Sequence, residues 1–169
     1  MPEASRVPNG IRAPRHDEAG KGAVERAVFT EFAARFRADV DITSIRSGDP
    51  NLREPDIIAK STESDAPVAC ELVRLTEVSG RATVDAVERK FHKARQGLYA
   101  GVRAEQLELL AWSDQLQTEW SRVLQDLGQW LHEDTTGFTR AWLWHRSGAG
   151  SDSESVWLWE TGRGISRFD

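Results

Sequence analysis

The sequence predicts a mixed α/β fold in which helices and strands alternate in the order α-β-β-β-α-β-α-β-β around one sheet. Three observations carry this. Apolar residues recur every three or four positions in three separate stretches, as in amphipathic helices. Between them lie short runs rich in Val, Ile, Leu and Trp, bounded by Gly, Pro, Asp and Ser, as strands are. A helix separates the third strand from the fourth, so that pair is expected to be buried and parallel, whereas its neighbours are close enough in sequence for hairpins.

Composition narrows the class. At 169 residues the chain has the size of one domain with a real core. No apolar run approaches the roughly 20 residues of a membrane span, and the start, MPEASRVPNG, has no apolar signal-peptide region. The single cysteine, Cys70, cannot form an internal disulfide. A cytoplasmic protein with no membrane association is therefore expected. A formal net charge of −5 argues against coating nucleic acid by bulk electrostatics, but leaves room for a local basic face.

Residues 1–20, rich in Pro, Gly and charge, read as a disordered or loosely attached arm, and 21–169 as a single domain. Helix periodicity runs from Lys21 to Asp39, with Val24, Val28, Phe32 and Phe36 as its stripe. Glu25 falls within that apolar face and needs a partner there, Arg26 or Arg35 being within reach. Asp41 to Ser47 alternates as a strand does, and Gly48-Asp49-Pro50-Asn51 is a turn signal. Two further runs, Pro55 to Lys60 and Pro67 to Thr76, flank the polar linker Ser61 to Ala66 and read as a hairpin. If the linker is the whole loop, Lys60 faces Pro67 and Asp56 comes opposite Glu71. Directly opposed like charges are unfavourable in a sheet. Such a pair calls for something positive between its members, most simply a divalent metal ion. Taken singly, each acid also fits an ordinary exposed strand position.

The second helix, Arg81 to Tyr99, carries the stripe Val84, Val87, Phe91, Ala94 and Leu98. Arg81, Arg89, Lys90, Lys93, Arg95 and Arg103 make this the most basic stretch, either a solvated face or a phosphate-contacting one. On helical arithmetic His92, Arg95, Gln96 and Tyr99 share one flank, away from Lys90 and Lys93. Glu105 to Trp112 reads as the fourth strand and Asp114 to Glu133 as a third helix. Phe138 to Arg146 and Glu154 to Glu160 read as a hairpin carrying Trp142, Trp144, Trp157 and Trp159, and Gly162 to Asp169 as an uninformative tail.

Pro55-Asp56, a loop, then Glu71-Leu72-Val73 resembles the PD-(D/E)xK nuclease superfamily, also called restriction-endonuclease-like. The element order α-β-β-β-α-β over about Gly22 to Trp112 matches that superfamily's core, with an added helix and a C-terminal β-hairpin over 113–169. The resemblance implies a metal-dependent hydrolase of nucleic acid, DNA in the first place. In it Asp56, Glu71 and the Leu72 carbonyl hold Mg²⁺ or Mn²⁺, with Glu25 as a further ligand through water and Glu31 as second choice. The family's Lys should follow the second acid by two residues, where this chain has Val73. Lys60, which shares the face of Asp56, and Lys90 or Lys93 are the candidates for its role. Gln96-Gly97-Leu98-Tyr99 loosely resembles the Gln-and-Tyr motif of RecB-like members, which would make Gln96 a site residue. Nucleic acid would then bind through the Arg81–Arg103 region.

Two other classes compete. One is a catalytically inactive nuclease-fold protein that binds nucleic acid or a protein, favoured by Val73. The other is an interaction protein, homodimeric or with a protein partner, that uses the Trp-rich end and so exposes an aromatic patch. The histidines show no HExxH, and there is no zinc-finger spacing, G-x-S-x-G or Walker loop.

Overall fold

The computed structural model describes residues 16–75, 80–97, 99, 101–102, 106–114, 125, 138–146 and 154–168. Helix α1 (His16–Phe36) leads into strands β1 (Val40–Ser47), β2 (Ile57–Ser61) and β3 (Pro67–Arg74). Helix α2 (Gly80–Arg95) carries the chain over to β4 (Leu107–Ser113). Strands β5 (Arg140–His145), β6 (Ser155–Glu160) and β7 (Gly164–Phe168) complete a seven-stranded sheet whose strands stand side by side in sequence order. Its centre, β3-β4-β5, is parallel, and both flanks are antiparallel. The helix expected over 114–133 lies outside the described residues, apart from Asp114, which is not helical, and Gln125, which is. The expected N-terminal arm lies outside them up to residue 15, and residues 16–20, also read as part of that arm, instead form the start of α1.

Successive strand residues point to opposite faces, and each face meets one helix. Cys70, Leu72, Leu110 and Trp112 pack with Val28, Phe29 and Phe32 of α1. Ala69, Leu109 and Ala111 pack with Val87 and Phe91 of α2. Every residue of β4 is buried, which is why that strand is apolar almost throughout. Phe32 stands against Trp142 and Trp144, with ring centroids 5.4 and 5.5 Å away, and each such buried aromatic contributes about 1.5–3 kcal/mol. The terminal hairpin extends the sheet. Trp142, Trp144 and Trp159 are buried and Trp157 is half-buried, so the exposed aromatic patch required of a Trp-based docking end is not formed by these four side chains.

Two expectations change. Val24, assigned to the apolar stripe, is 53% exposed. One turn before Val28 the helix runs beside the end of β1, where Ser47 Oγ donates to the Gly22 carbonyl at 3.1 Å, and the packed core has ended. The tail, by contrast, contains an edge strand. Gly162 and Gly164, at φ 81° and 77°, turn the chain back, and Phe168 packs on Trp142 with ring centroids 5.2 Å apart.

Arg37 is buried on the α1 side and fully engaged there. It donates to both oxygens of Asp39 (2.7 and 2.8 Å) and both of Glu108 (2.5 and 3.1 Å), and Glu108 also accepts from Trp142 Nε1 at 2.9 Å. Among the described residues no helix is long and apolar enough to cross a membrane.

Candidate active site

The β2–β3 ladder sets Lys60 opposite Pro67 and Ile57 opposite Cys70. One residue beyond its end, Asp56 meets Glu71. Each carboxylate takes a backbone N–H from the other strand: Leu72 N–H donates to Asp56 Oδ2 at 2.9 Å, and Asp56 N–H to Glu71 Oε1 at 3.3 Å. The remaining charge is met from above. Lys90 of α2 donates to Asp56 Oδ2 at 2.9 Å and to Glu71 Oε2.

Burial and charge treat the three groups differently. Burial pushes the Asp56 carboxyl up, but Lys90 and the Leu72 N–H outweigh it and hold the group below its ordinary value. For Glu71, only 2% exposed, burial and the Asp56 charge prevail over Lys90 and push the carboxyl up. Burial alone would lower the Lys90 pKa; the two carboxylates raise it instead, to about 12. At neutral pH Lys90 is an ammonium, and Glu71 is the acid of the pair that first takes a proton on acidification.

Asp56 and Glu71 open onto a cleft of about 660 Å³. Its walls are Lys21 and Glu25 of α1, the connection from β1 to β2 with Gly48, Arg53 and Glu54, and Lys93 and Tyr99 at the far end of α2. Glu25 therefore reaches the site, as the sequence suggests. Its ion-pair partner is Lys21 at 3.1 Å, rather than Arg26 or Arg35, and burial together with the Asp56 charge raises its pKa. Glu31 is instead paired with Arg35 (3.1 Å) and Arg146 (2.5 Å).

Lys60 and Gln96 are not brought in. Lys60 is exposed four residues along β2 from Asp56, about 13 Å at roughly 3.3 Å per residue. Gln96 is exposed and bonds His92 Nε2 at 2.7 Å. Val73 lies on the same face as Glu71 but packs into the core beneath α2. Leu72 buries its side chain on the α1 side.

Helical arithmetic separates Lys90 and Lys93 from Tyr99, yet Lys90 engages the acids and both Lys93 and Tyr99 line the cleft. The helix ends at Arg95, Gly97 at φ 61° reverses the chain, and Tyr99 returns by a path the arithmetic does not describe. The Tyr99 hydroxyl is buried, with no well-formed hydrogen bond among the described residues, and burial and the adjacent Glu71 carboxylate raise its pKa. Lys93 Nζ lies 5.9 Å from the centroid of its ring. Arg53 and Lys21 are cleft residues that sequence reasoning passed over. The turn signal at 48–51 and the i,i+4 spacing of Lys21 and Glu25 were the available clues.

Among the described residues no three His, Cys, Asp or Glu side chains converge as a ready-made metal cage. The donors present are two carboxylates facing a cleft, a set that Mg²⁺ accepts when waters complete its shell. No protein-family model, curated protein or solved structure matches this chain.

Proposed function

We propose that the protein is a metal-dependent nuclease of the PD-(D/E)xK type, hydrolysing phosphodiester bonds of nucleic acid, DNA in the first place. The observation that carries this reading is Lys90. Its ammonium, delivered by α2, reaches both Asp56 and Glu71, and so supplies the cation that Val73 cannot. Support comes also from the α-β-β-β-α-β order of the first six elements, with the acids at facing positions of the β2–β3 hairpin.

In this reading Asp56 and Glu71, with the Leu72 carbonyl and with Glu25 through water, would hold Mg²⁺ or Mn²⁺. The ion, when bound, polarises a phosphate oxygen and lowers the pKa of a water. Lys90 offsets the negative charge that grows as water oxygen joins phosphorus and the bond to the leaving oxygen breaks. Its position above both acids also limits how far they can separate. Arg89 and Lys93 expose their charges on α2 for backbone contact. The side chains of Arg81, Arg95 and Arg103 lie outside the described residues.

A second reading, an inactive nuclease-fold protein that binds nucleic acid or a protein, is favoured by one observation. Lys90 already offsets one of the two negative charges of the pair it bridges, so the acids have a partial countercharge without a metal.

The test is cleavage of supercoiled plasmid, linear duplex, and single-stranded DNA and RNA with Mg²⁺ or Mn²⁺. Native protein is expected to cut, Asp56→Asn and Glu71→Gln to fall to background, and Lys90→Met to lose about 10²–10³-fold. A folded native protein that cuts none of these overturns the nuclease reading in favour of the binding one.

A further inference from the structure

The connection Gly48–Pro55 is a rigid strap beside the acids, and its construction goes beyond what a turn requires. Gly48 N–H donates to the Asp56 carbonyl at 2.9 Å, joining the strap to a site residue. Glu54 holds both ends together. Its carboxylate accepts two bonds from Arg46 (2.7 and 2.8 Å) and one from the Asp49 N–H (2.9 Å). Asp49 caps the short 3-10 turn Pro50–Leu52 by accepting from Asn51 N–H at 2.8 Å, and Arg53 N–H closes the turn on the Pro50 carbonyl at 3.2 Å.

Arg53 ends this turn at φ 54°, ψ 35°, and it is the one described non-glycine residue with positive φ. Glycine or asparagine adopts that conformation at least cost. The backbone bond to Pro50 would form with any residue, and the arginine side chain makes no hydrogen bond among the described residues, so what arginine adds there is a long cationic side chain. That side chain is exposed, lines the cleft and has no ion pair among the described residues. The other charges around the cleft are matched. Lys21 pairs with Glu25, Arg46 with Glu54, and Lys90 with Asp56 and Glu71. Arg53, on the strap, remains without an ion pair among the described residues, and Lys93, on α2, makes none among them either but stands near enough to Glu71 for its charge to lower that carboxyl's pKa.

We propose that Arg53, held by this strap, forms a phosphate subsite of the cleft. It binds the nucleic-acid phosphate adjoining the one positioned over Asp56 and Glu71, with Lys93 as a second contact from α2. A guanidinium on a rigid support suits this task, because its planar fork meets two phosphate oxygens at once and little freedom is lost on binding. The subsite binds substrate and transition state alike, so it acts on KM more than on kcat. This inference rests on the nuclease reading.

The test uses the full chain with Arg53→Gly and Arg53→Lys. Glycine suits the left-handed backbone, so the thermal midpoint of Arg53→Gly is expected to equal that of the native protein. Binding of a labelled oligonucleotide is measured in EDTA across roughly 50–200 mM salt, and cleavage kinetics are measured with Mg²⁺. For Arg53→Gly we expect about tenfold weaker binding at low salt, a log–log salt slope shallower by about 0.7–0.9, and a raised KM with kcat retained. Arg53→Lys keeps the native slope and recovers part of the affinity. A native protein that binds and cuts, with Arg53→Gly unchanged in slope and KM, overturns the subsite and leaves the nuclease reading standing. A native protein that neither binds nor cuts overturns both.

Discussion

Without the Lys90 ammonium, Asp56 and Glu71 would face each other across a hairpin end with two backbone N–H groups as their only described donors. Breaking a buried pair by removing one partner costs about 3–5 kcal/mol. Lys90→Met is therefore expected to lose that much stability at pH 7, and less near pH 4, where neutral carboxyls no longer repel. Urea denaturation at the two pH values measures both. The Lys90 pKa, raised from 10.5 to about 12, gives stability that is complete below 10.5 and lost as pH rises through about 12. Depressed Asp56 stabilises above its ordinary 3.8 and loses this in acid, while raised Glu71 acts oppositely, favouring the fold most below 4.5. The Asp56–Glu71 opposition was legible in the sequence because a six-residue polar loop between extended runs fixes the register and thereby the facing pairs. Which cation would meet them was not. Lys60 lies on β2, whereas the reach of Lys90 and Lys93 depends on how α2 sits over the sheet, and local spacing does not encode that.

At the scale of the element, the strap depends on a close approach. A Cβ on Gly48 would lie 1.8 Å from the Pro55 carbonyl oxygen, a backbone atom that cannot step aside alone. Gly48→Ala is expected to destabilise by about 2–4 kcal/mol and to loosen Asp56, whose carbonyl Gly48 holds. Chemical denaturation together with cleavage activity would register both effects. The strap's turn residues were readable as a turn, whereas its role as a cleft wall arises from the return of the chain beside Asp56. Strand β7 was hidden for a different reason. Gly-Ile-Ser-Arg-Phe is short and half polar, as an edge strand can be when only its Ile165 and Phe168 pack inward.

Across the whole molecule, the antiparallel flanks are each built from local hairpins, and the parallel centre joins them. Ending the chain before Gly164 would uncover the β6 edge and remove Phe168 from Trp142 and Phe36. The expected loss is about 3–5 kcal/mol, the cost of deleting a packed Phe side chain, with self-association through the bared edge. Calorimetry and size-exclusion chromatography test the two. The α-β-β-β-α-β order and the buried parallel β4 were legible because apolar period and run length survive without tertiary knowledge. The opposite placement of α1 and α2 became visible only through which strand residues each helix covers. The hairpin origin of the acid pair also bears on the order of folding events. Asp56 and Glu71 are 15 residues apart, within one hairpin that can close in about 1–10 μs. Lys90 arrives only when α2 docks, and parallel pairing of β3 with β4 waits on a longer loop closure. A chain whose hairpin closed before α2 docked would hold two mutually repelling acids with no cation between them, and folding is then expected to quicken in mild acid, as stopped-flow refolding at two pH values would show.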